Sequence, residues 1–234
     1  MSPTLQSNRI SVADPSIYAA WLYPVSEGTL TISLLRSTPF TSWAVPRQVH
    51  GTKIAVDTPD GIEPALEAAD GVVSGSTSRG MVVQSADCVP LLAYDSTAKV
   101  VGAVHAGWRG LSSGAIDAWI DTLLAQGASA ETLSVMVGPH ARSCCYEIDN
   151  PDFNGPAVAP SFIGAFGDAI LERSGKTYLD QTLVATTILA RRGVTNVTID
   201  PRCTIHDASQ LPSWRRDHIP GQGRAIVGVI GRLP

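Results

Sequence analysis

The chain has 234 residues, 44% of them hydrophobic, which is enough for one substantial core. Its 17 Lys and Arg against 21 Asp and Glu leave a formal charge of -4, so there is no clustered basic surface for a nucleic-acid partner. No apolar run approaches the roughly 18 residues of a membrane-spanning helix, and "MSPTLQSNRISVADPSIYAAWLYPV" lacks the basic start and apolar run of a signal peptide. The expectation is therefore a cytoplasmic protein that meets a small molecule, with no membrane contact and no obligate protein partner.

Along the chain, "TLTISLL", "GMVVQSA", "VPLLAYD", "VVGAVHA", "LSVMVG", "NVTID" and "AIVGVIG" read as strands, each bounded by Gly, Pro, Asp or Ser. "DTPDGIEPALEAADG" reads as a surface loop with at most one helical turn, and "NPDFNGPAVAP" as a connection. In "GLSSGAIDAWIDTLLAQGA", Leu111, Ala115, Ile116, Trp119, Ile120, Leu123 and Leu124 recur at three- and four-residue steps. That spacing predicts one helix, capped by Ser112 or Ser113 and closed by Gly127. A second helix is expected in "DQTLVATTILARRGV", ended by Gly193, and a third around "PSFIGAFGDAILERSG". Strands and helices are mixed, and no repeat or domain boundary is visible, so the expectation is a single α/β (α+β) domain spanning 1–234, with mixed β-sheets flanked by helices.

Three stretches place a metal-competent side chain at the edge of a strand-like run beside Gly or Pro: "RQVHGTKI" with His50, "SADCVPLL" with Cys88 and "AVHAGWRG" with His105. Two imidazoles and a thiolate suit zinc, with copper as the softer alternative. Each residue alone is more often a buried thiol or a satisfied loop histidine, and the three match no short zinc signature. "HAGWRGLSSGAI" runs from a strand through glycines into a helix, so backbone N–H groups near Gly110, with Arg109, form a candidate anion site. The crowded "VGPHARSCCYEI" reads as a packed turn with a Cys directed at the metal pocket; a Cys144 or Cys145 nucleophile is the weaker reading. The four cysteines, Cys88, Cys144, Cys145 and Cys203, are too few and too irregular for a disulfide framework and read as free thiols or metal ligands.

Taken together, "RQVHG", "ADGVVS", "SADCVPLLAYD", "VGAVHAGWRG", "VGPHARSCCYEI" and the late "CT...SWRRD...GQGRAIVGVIG" resemble, in that order, the YfiH/laccase-domain family. The resemblance implies a YfiH-like mixed α/β domain with zinc on His50, Cys88 and His105. It also implies purine nucleoside phosphorylase activity on adenosine, inosine, guanosine and methylthioadenosine, together with adenosine deamination. Nucleoside and phosphate would be the partners. A peptidoglycan-precursor editing amide hydrolase, a copper polyphenol oxidase and a zinc-stabilised binding module are the alternatives. The oxidase label fits poorly, because a full laccase cluster needs on the order of ten imidazoles and the chain has five His. On this reading Asp87, Arg109 and Glu147 are the expected catalytic residues, and Arg47, Gly110 and Cys145 the expected substrate contacts. Leu35 stands where the family places a pocket-forming Asn, His140 where small or apolar residues are commoner, and His206 in a variable stretch after "CT".

Overall fold

The computed structural model describes residues 6–23, 31–58, 61–63, 66–77, 79–149, 158–207, 211–217 and 225–234. In chain order the elements are β1 (Gln6–Arg9), β2 (Ile17–Tyr23), α1 (Thr31–Leu35), β3 (Ser42–Ala44), β4 (Ile54–Thr58), β5 (Gly61–Glu63), β6 (Gly71–Ser74), β7 (Arg79–Ser85), β8 (Val89–Asp95) and β9 (Val100–Ala106). They continue with α2 (Trp108–Ser113), α3 (Ala115–Ala125), β10 (Ser134–Val137), α4 (Val158–Phe166), a 3-10 turn (Gly167–Ala169), β11 (Ile170–Arg173), β12 (Lys176–Leu179), α5 (Gln181–Arg191), β13 (Asn196–Ile199), α6 (Trp214–Asp217) and β14 (Ile226–Arg232).

Two large sheets form, ordered β1-β2-β14-β7-β3 and β13-β10-β8-β9-β6-β4-β5, and β11 and β12 pair as a separate hairpin. Both large sheets mix parallel and antiparallel pairings, as β3 with β7 and β4 with β6 show beside the antiparallel β8 with β9. The sheets pack face to face. Trp21, Met81, Val83 and Ile230 from the first meet Leu92, Val101, Ala103 and Met136 from the second. On the other face of the larger sheet, Leu91, Ala93 and Val104 pack under α3, α4 and α5 through Ile116, Trp119, Phe162, Val184 and Leu189. The central strands β8 and β9 are buried throughout, which explains their continuous apolar runs. Each large side chain fully buried there contributes roughly 1.5–3 kcal/mol of burial free energy. No helix among the described residues is long and apolar enough to cross a membrane.

The mixed α/β class and six of the seven expected strands hold. "TLTISLL" does not: its described part is α1, and Leu34 and Leu35 are both buried. A strand would turn one of two adjacent residues outward, whereas this helical turn tucks both under the outer face of the smaller sheet, against Val82 and Val229. Leu35 therefore belongs to the core. The expected helix from 111 to 127 is broken at Gly114, whose left-handed φ of 91° separates α2 from α3. The helix start is Trp108 with Gly107 as cap, so neither Ser112 nor Ser113 caps it, while Gly127 (φ 97°) does close α3. The second helix begins where Asp180 accepts from the Leu183 N–H at 2.9 Å, and Gly193 ends it.

The third helix is right only to Phe166. Beyond it, "ILERSGKTYL" folds as the β11–β12 hairpin, with Ser174 and Gly175 both at positive φ in its two-residue turn. The supposed loop from 57 to 71 contributes β5 and buries two carboxylates. Asp57 ion-pairs with Arg79 at 2.5 Å, and Asp70 is fully enclosed. Residues 150–157 of the second expected connection lie outside the described residues.

Candidate metal centre

β7 ends in the smaller sheet and β8 begins in the larger one, so residues 86–88 cross between the sheets. Asp87 makes that crossing at a φ of 90°. Such a conformation is costly for a residue with a Cβ, and here the surroundings fix it. The Asp87 carboxylate accepts from Thr204 Oγ1 at 2.6 Å, Ser213 Oγ at 3.0 Å and the Arg215 N–H at 2.8 Å. Its backbone carbonyl accepts from the Ala141 N–H at 3.0 Å and Gln181 Nε2 at 3.2 Å. Both carboxylate oxygens are thus occupied by the wall that carries them. The loop presents Cys88 to a point where His105, near the end of β9, and His50, at a left-handed φ of 62°, also arrive.

The donor atoms of His50, Cys88 and His105 all lie within 4.8 Å of one another, and the two imidazole rings meet edge to face at 4.8 Å. Asp70 organises two of the three. Its carboxylate accepts the backbone N–H groups of Val49, His50 and Gly51 at 3.2, 2.8 and 2.7 Å, and it bonds His105 Nδ1 at 3.0 Å. The carboxylate accepts, so Nδ1 carries the proton and Nε2 is left to face the thiol. Asp70 lies within "ADGVVS" and is not among the site residues expected from the sequence. The signal was an acidic residue directly preceding a buried strand.

Burial alone would raise the Cys88 thiol, but the charge of His105 and hydrogen bonds from both imidazoles outweigh it and bring Cys88 to about 6. Burial opposes protonation of His105, and the Cys88 charge and the Asp70 hydrogen bond overcome it, raising His105 to about 9. The pair favours a thiolate beside an imidazolium, a charge arrangement in which a cation can replace the shared proton. A buried imidazole oriented by a carboxylate behind it, a half-buried thiol and an exposed imidazole fit a thiophilic divalent ion.

The trio opens into a cavity of about 510 Å³, within the range of small-molecule sites. Its walls include Trp108, Arg109, Tyr146, Trp214 and Arg215. The Arg109 guanidinium lies 4.3 Å from the Trp108 ring centre and that of Arg215 3.8 Å from Tyr146. Burial, with the Cys88 charge adding to it, pushes the Tyr146 phenol above its ordinary range and keeps it protonated. Trp108, Tyr146, Trp214 and Arg215 were not singled out from the sequence.

Asp87 and Arg109 also line the cavity, but the other expected catalytic and substrate-contact residues do not. The Glu147 carboxylate turns away to Lys176 at 2.9 Å, while its carbonyl accepts from Arg215. Arg47 is exposed and pairs with Glu67 at 3.3 Å. Gly110 sits inside α2 behind the site, where a Cβ would come within 3.2 Å of the Ala115 side chain. α2 starts at Trp108 and has six residues, so Gly110 lies in its first turn, while the Arg109 and Arg215 guanidinium groups line the cavity. Cys145 belongs to a different group, with Cys144, Cys203 and His206. His140 is buried outside the cavity, its Nδ1–H donating to the Gly138 carbonyl and its Nε2 accepting from Thr182 Oγ1, both at 2.8 Å.

A family described as multi-copper polyphenol oxidoreductase laccase matches residues 29–232. Purine nucleoside phosphorylase ORF3 of Streptomyces griseus is 34% identical over 176 residues, covering 75% of this chain and 69% of that protein. Adenosine deaminase RL5, from an unknown prokaryotic organism, is 27% identical over 219 residues, covering 88% and 81%. Among solved structures, the Bacillus licheniformis hypothetical protein YfiH superposes with a TM-score of 0.79 at 22% identity, over 93% of each chain. With six ordered motifs, the fold and nearly the whole length in agreement, the chain belongs to this laccase-like YfiH family.

Proposed function

We propose that the chain, acting as one unit over 1–234, is a zinc-dependent purine nucleoside phosphorylase that also deaminates adenosine. Adenosine, inosine, guanosine and methylthioadenosine are its substrate class. The observation that carries this reading is the cavity, which sets a nitrogen and sulfur donor trio beside two guanidinium groups and three aromatic rings. Relatives named purine nucleoside phosphorylase and adenosine deaminase support it.

His50, Cys88 and His105 would hold the zinc, with copper the alternative, and the bound ion supplies a fixed positive charge and Lewis acidity beside the substrate. Arg109 and Arg215 hold the phosphate, with charge-assisted hydrogen bonds to its oxygens. Trp108 and Trp214 offer apolar faces to the purine. In phosphorolysis a phosphate oxygen bonds to ribose C1′ as the C1′–N9 bond breaks, and the bonding electrons leave with the purine. That step is chiefly positioning and charge stabilisation. The protonated Tyr146 phenol is a hydrogen-bond donor for the departing base. Asp87 acts through its neighbours as a positioning residue, because its loop carries Cys88 and its carboxylate fixes the Arg215 backbone. Glu147 acts in the same way through the carbonyl that accepts from Arg215.

The test is incubation of zinc-loaded protein with adenosine, with and without phosphate, followed by product identification by mass spectrometry. Adenine with ribose-1-phosphate only when phosphate is present is the expected phosphorylase result, and inosine in both samples the expected deaminase result. A fully metal-loaded protein that turns over no nucleoside refutes the reading. Full metal content and activity in Cys88→Ala would overturn the ligand assignment.

A further inference from the structure

The second cluster of soft donors arises from the topology. β10 and β13 are parallel neighbours, so the segments that leave their C-terminal ends run side by side. Backbone contacts zip them together. Asp200 N–H donates to the Val137 carbonyl at 2.9 Å and Thr204 N–H to the His140 carbonyl at 3.1 Å, with His140 and Cys203 forming a parallel bridge. Arg142 Nη1 adds a bond to the Asp200 carbonyl at 3.2 Å. One segment then turns at Ser143–Cys145 and the other at Thr204–His206. These turns bring the Sγ atoms of Cys144, Cys145 and Cys203 and a ring nitrogen of His206 within 4.8 Å of one another. His206 Nδ1 is 3.5 Å from Cys144 Sγ, and the Arg142 N–H points at Cys203 Sγ from 3.5 Å.

The geometry points to a second metal site, in which Cys144, Cys145, Cys203 and His206 bind a zinc ion as a closed Cys3His set that clips the two loops together. A tetrahedral ion with Zn–S near 2.3 Å and Zn–N near 2.0–2.1 Å places the donors of a Cys3His set about 3.5–3.8 Å apart. The cluster has to contract by only about 1 Å from its widest separation to reach that geometry. Three thiol sulfurs and one imidazole are the donor chemistry of a structural zinc site, and four protein ligands leave no position open for substrate. Cys203 is buried, whereas Cys144 and His206 are exposed, so the ion enters from the rim without unfolding the loops.

None of the four residues lines the cavity of the first site, yet the clip acts on its wall. Cys145 directly precedes Tyr146, and Cys203 directly precedes Thr204, which donates to Asp87. The second ion thus holds in place the loops that position Tyr146, Asp87 and the Arg215 backbone. This inference needs neither the nucleoside reading nor occupancy of the first site.

The experiment measures bound metal per chain after zinc loading and desalting under reducing conditions. It compares the unaltered protein with Cys88→Ala, a Cys144→Ser/His206→Ala double variant and the combination of all three changes. The expected values are about two, one, one and zero ions per chain, respectively. Cobalt loading of Cys88→Ala, which leaves the cluster intact, should give visible bands of tetrahedral intensity and thiolate charge transfer matching three sulfurs. Chelation should lower the melting temperature of Cys88→Ala but not that of the triple variant. One ion in the unaltered protein and none in Cys88→Ala would overturn the proposal. So would a Cys88→Ala protein that takes up no cobalt because its intact mass shows a disulfide among the three cysteines.

Discussion

Lowering the pH should destabilise this protein through His140, which lies outside the cavity. The ring is fully enclosed, and its neutral form satisfies both nitrogens. Burial drives its proton affinity down to about 4, against the opposing pull of the Gly138 carbonyl. In the unfolded chain the same imidazole takes its proton near the ordinary value of 6.5. Between those two values the unfolded state binds more protons, so stability rises with pH across that window. The contribution is complete above about 6.5 and is lost as the pH falls towards 4. Integrating the difference in proton uptake gives a loss of about 2 kcal/mol between pH 7 and pH 5, approaching about 3 kcal/mol below pH 4.

The assay is urea unfolding at pH 7 and pH 5, in buffers of matched metal content, for the unaltered protein and for His140→Gln. Other titrating groups, including the Cys88 and His105 pair, contribute to both proteins alike and cancel in the comparison. The variant's absolute stability is expected to fall, because its amide replaces a ring packed between Gly138 and Thr182. The pH dependence is the readout. The unaltered protein should lose about 2 kcal/mol more than the variant over that interval. Equal losses in the two would refute a neutral buried His140.

Two further outcomes follow from the first site. Asp70→Asn keeps the shape but gives up the charge that accepts four hydrogen bonds, so zinc affinity should fall about 10- to 100-fold and stability by about 2–4 kcal/mol. Chelator competition and urea unfolding measure the two, and unchanged zinc affinity would remove Asp70 from the site's support. At Gly107, whose backbone (φ -73°, ψ 173°) suits any residue, a Cβ would lie 2.7 Å from His50 Cδ2 and 2.9 Å from Cys88 Sγ. Gly107→Ala should therefore displace a donor and weaken zinc binding at least about tenfold, roughly 1.4 kcal/mol, with the far-ultraviolet circular dichroism unaltered. Normal affinity would mean that these donors do not share an ion.

What the sequence disclosed depended on how local each signal was. β8 and β9 could be read because both their faces are buried, leaving unbroken apolar runs. The trio of His50, Cys88 and His105 stood out because each member stands at the edge of a strand-like run beside Gly or Pro. Asp70 escaped because its partners lie 19 to 21 residues back and 35 residues ahead, distances at which composition carries no trace of contact. Glu147 and Cys145 were misplaced for the converse reason. Crowding in "SCCYEI" fixed neither the direction of the Glu147 side chain nor the loop that Cys145 joins. Gly114 and the Ser174–Gly175 turn were visible as residues, but only the left-handed backbone at each shows that one ends a helix and the other closes a hairpin.

The order of the smaller sheet has a consequence for biosynthesis. Its middle strand, Ile226–Arg232, pairs with Ile17–Tyr23 on one side and Arg79–Ser85 on the other. A nascent chain that has emitted only the first two hundred residues therefore holds both neighbours with an unfilled gap between them. Each neighbour exposes a strand edge able to pair with another chain. The crossing that carries Asp87 and Cys88 is anchored in part by Thr204, Ser213 and Arg215, which also emerge late. Closure of the sheet and completion of the pocket wall therefore both wait for residues beyond 200.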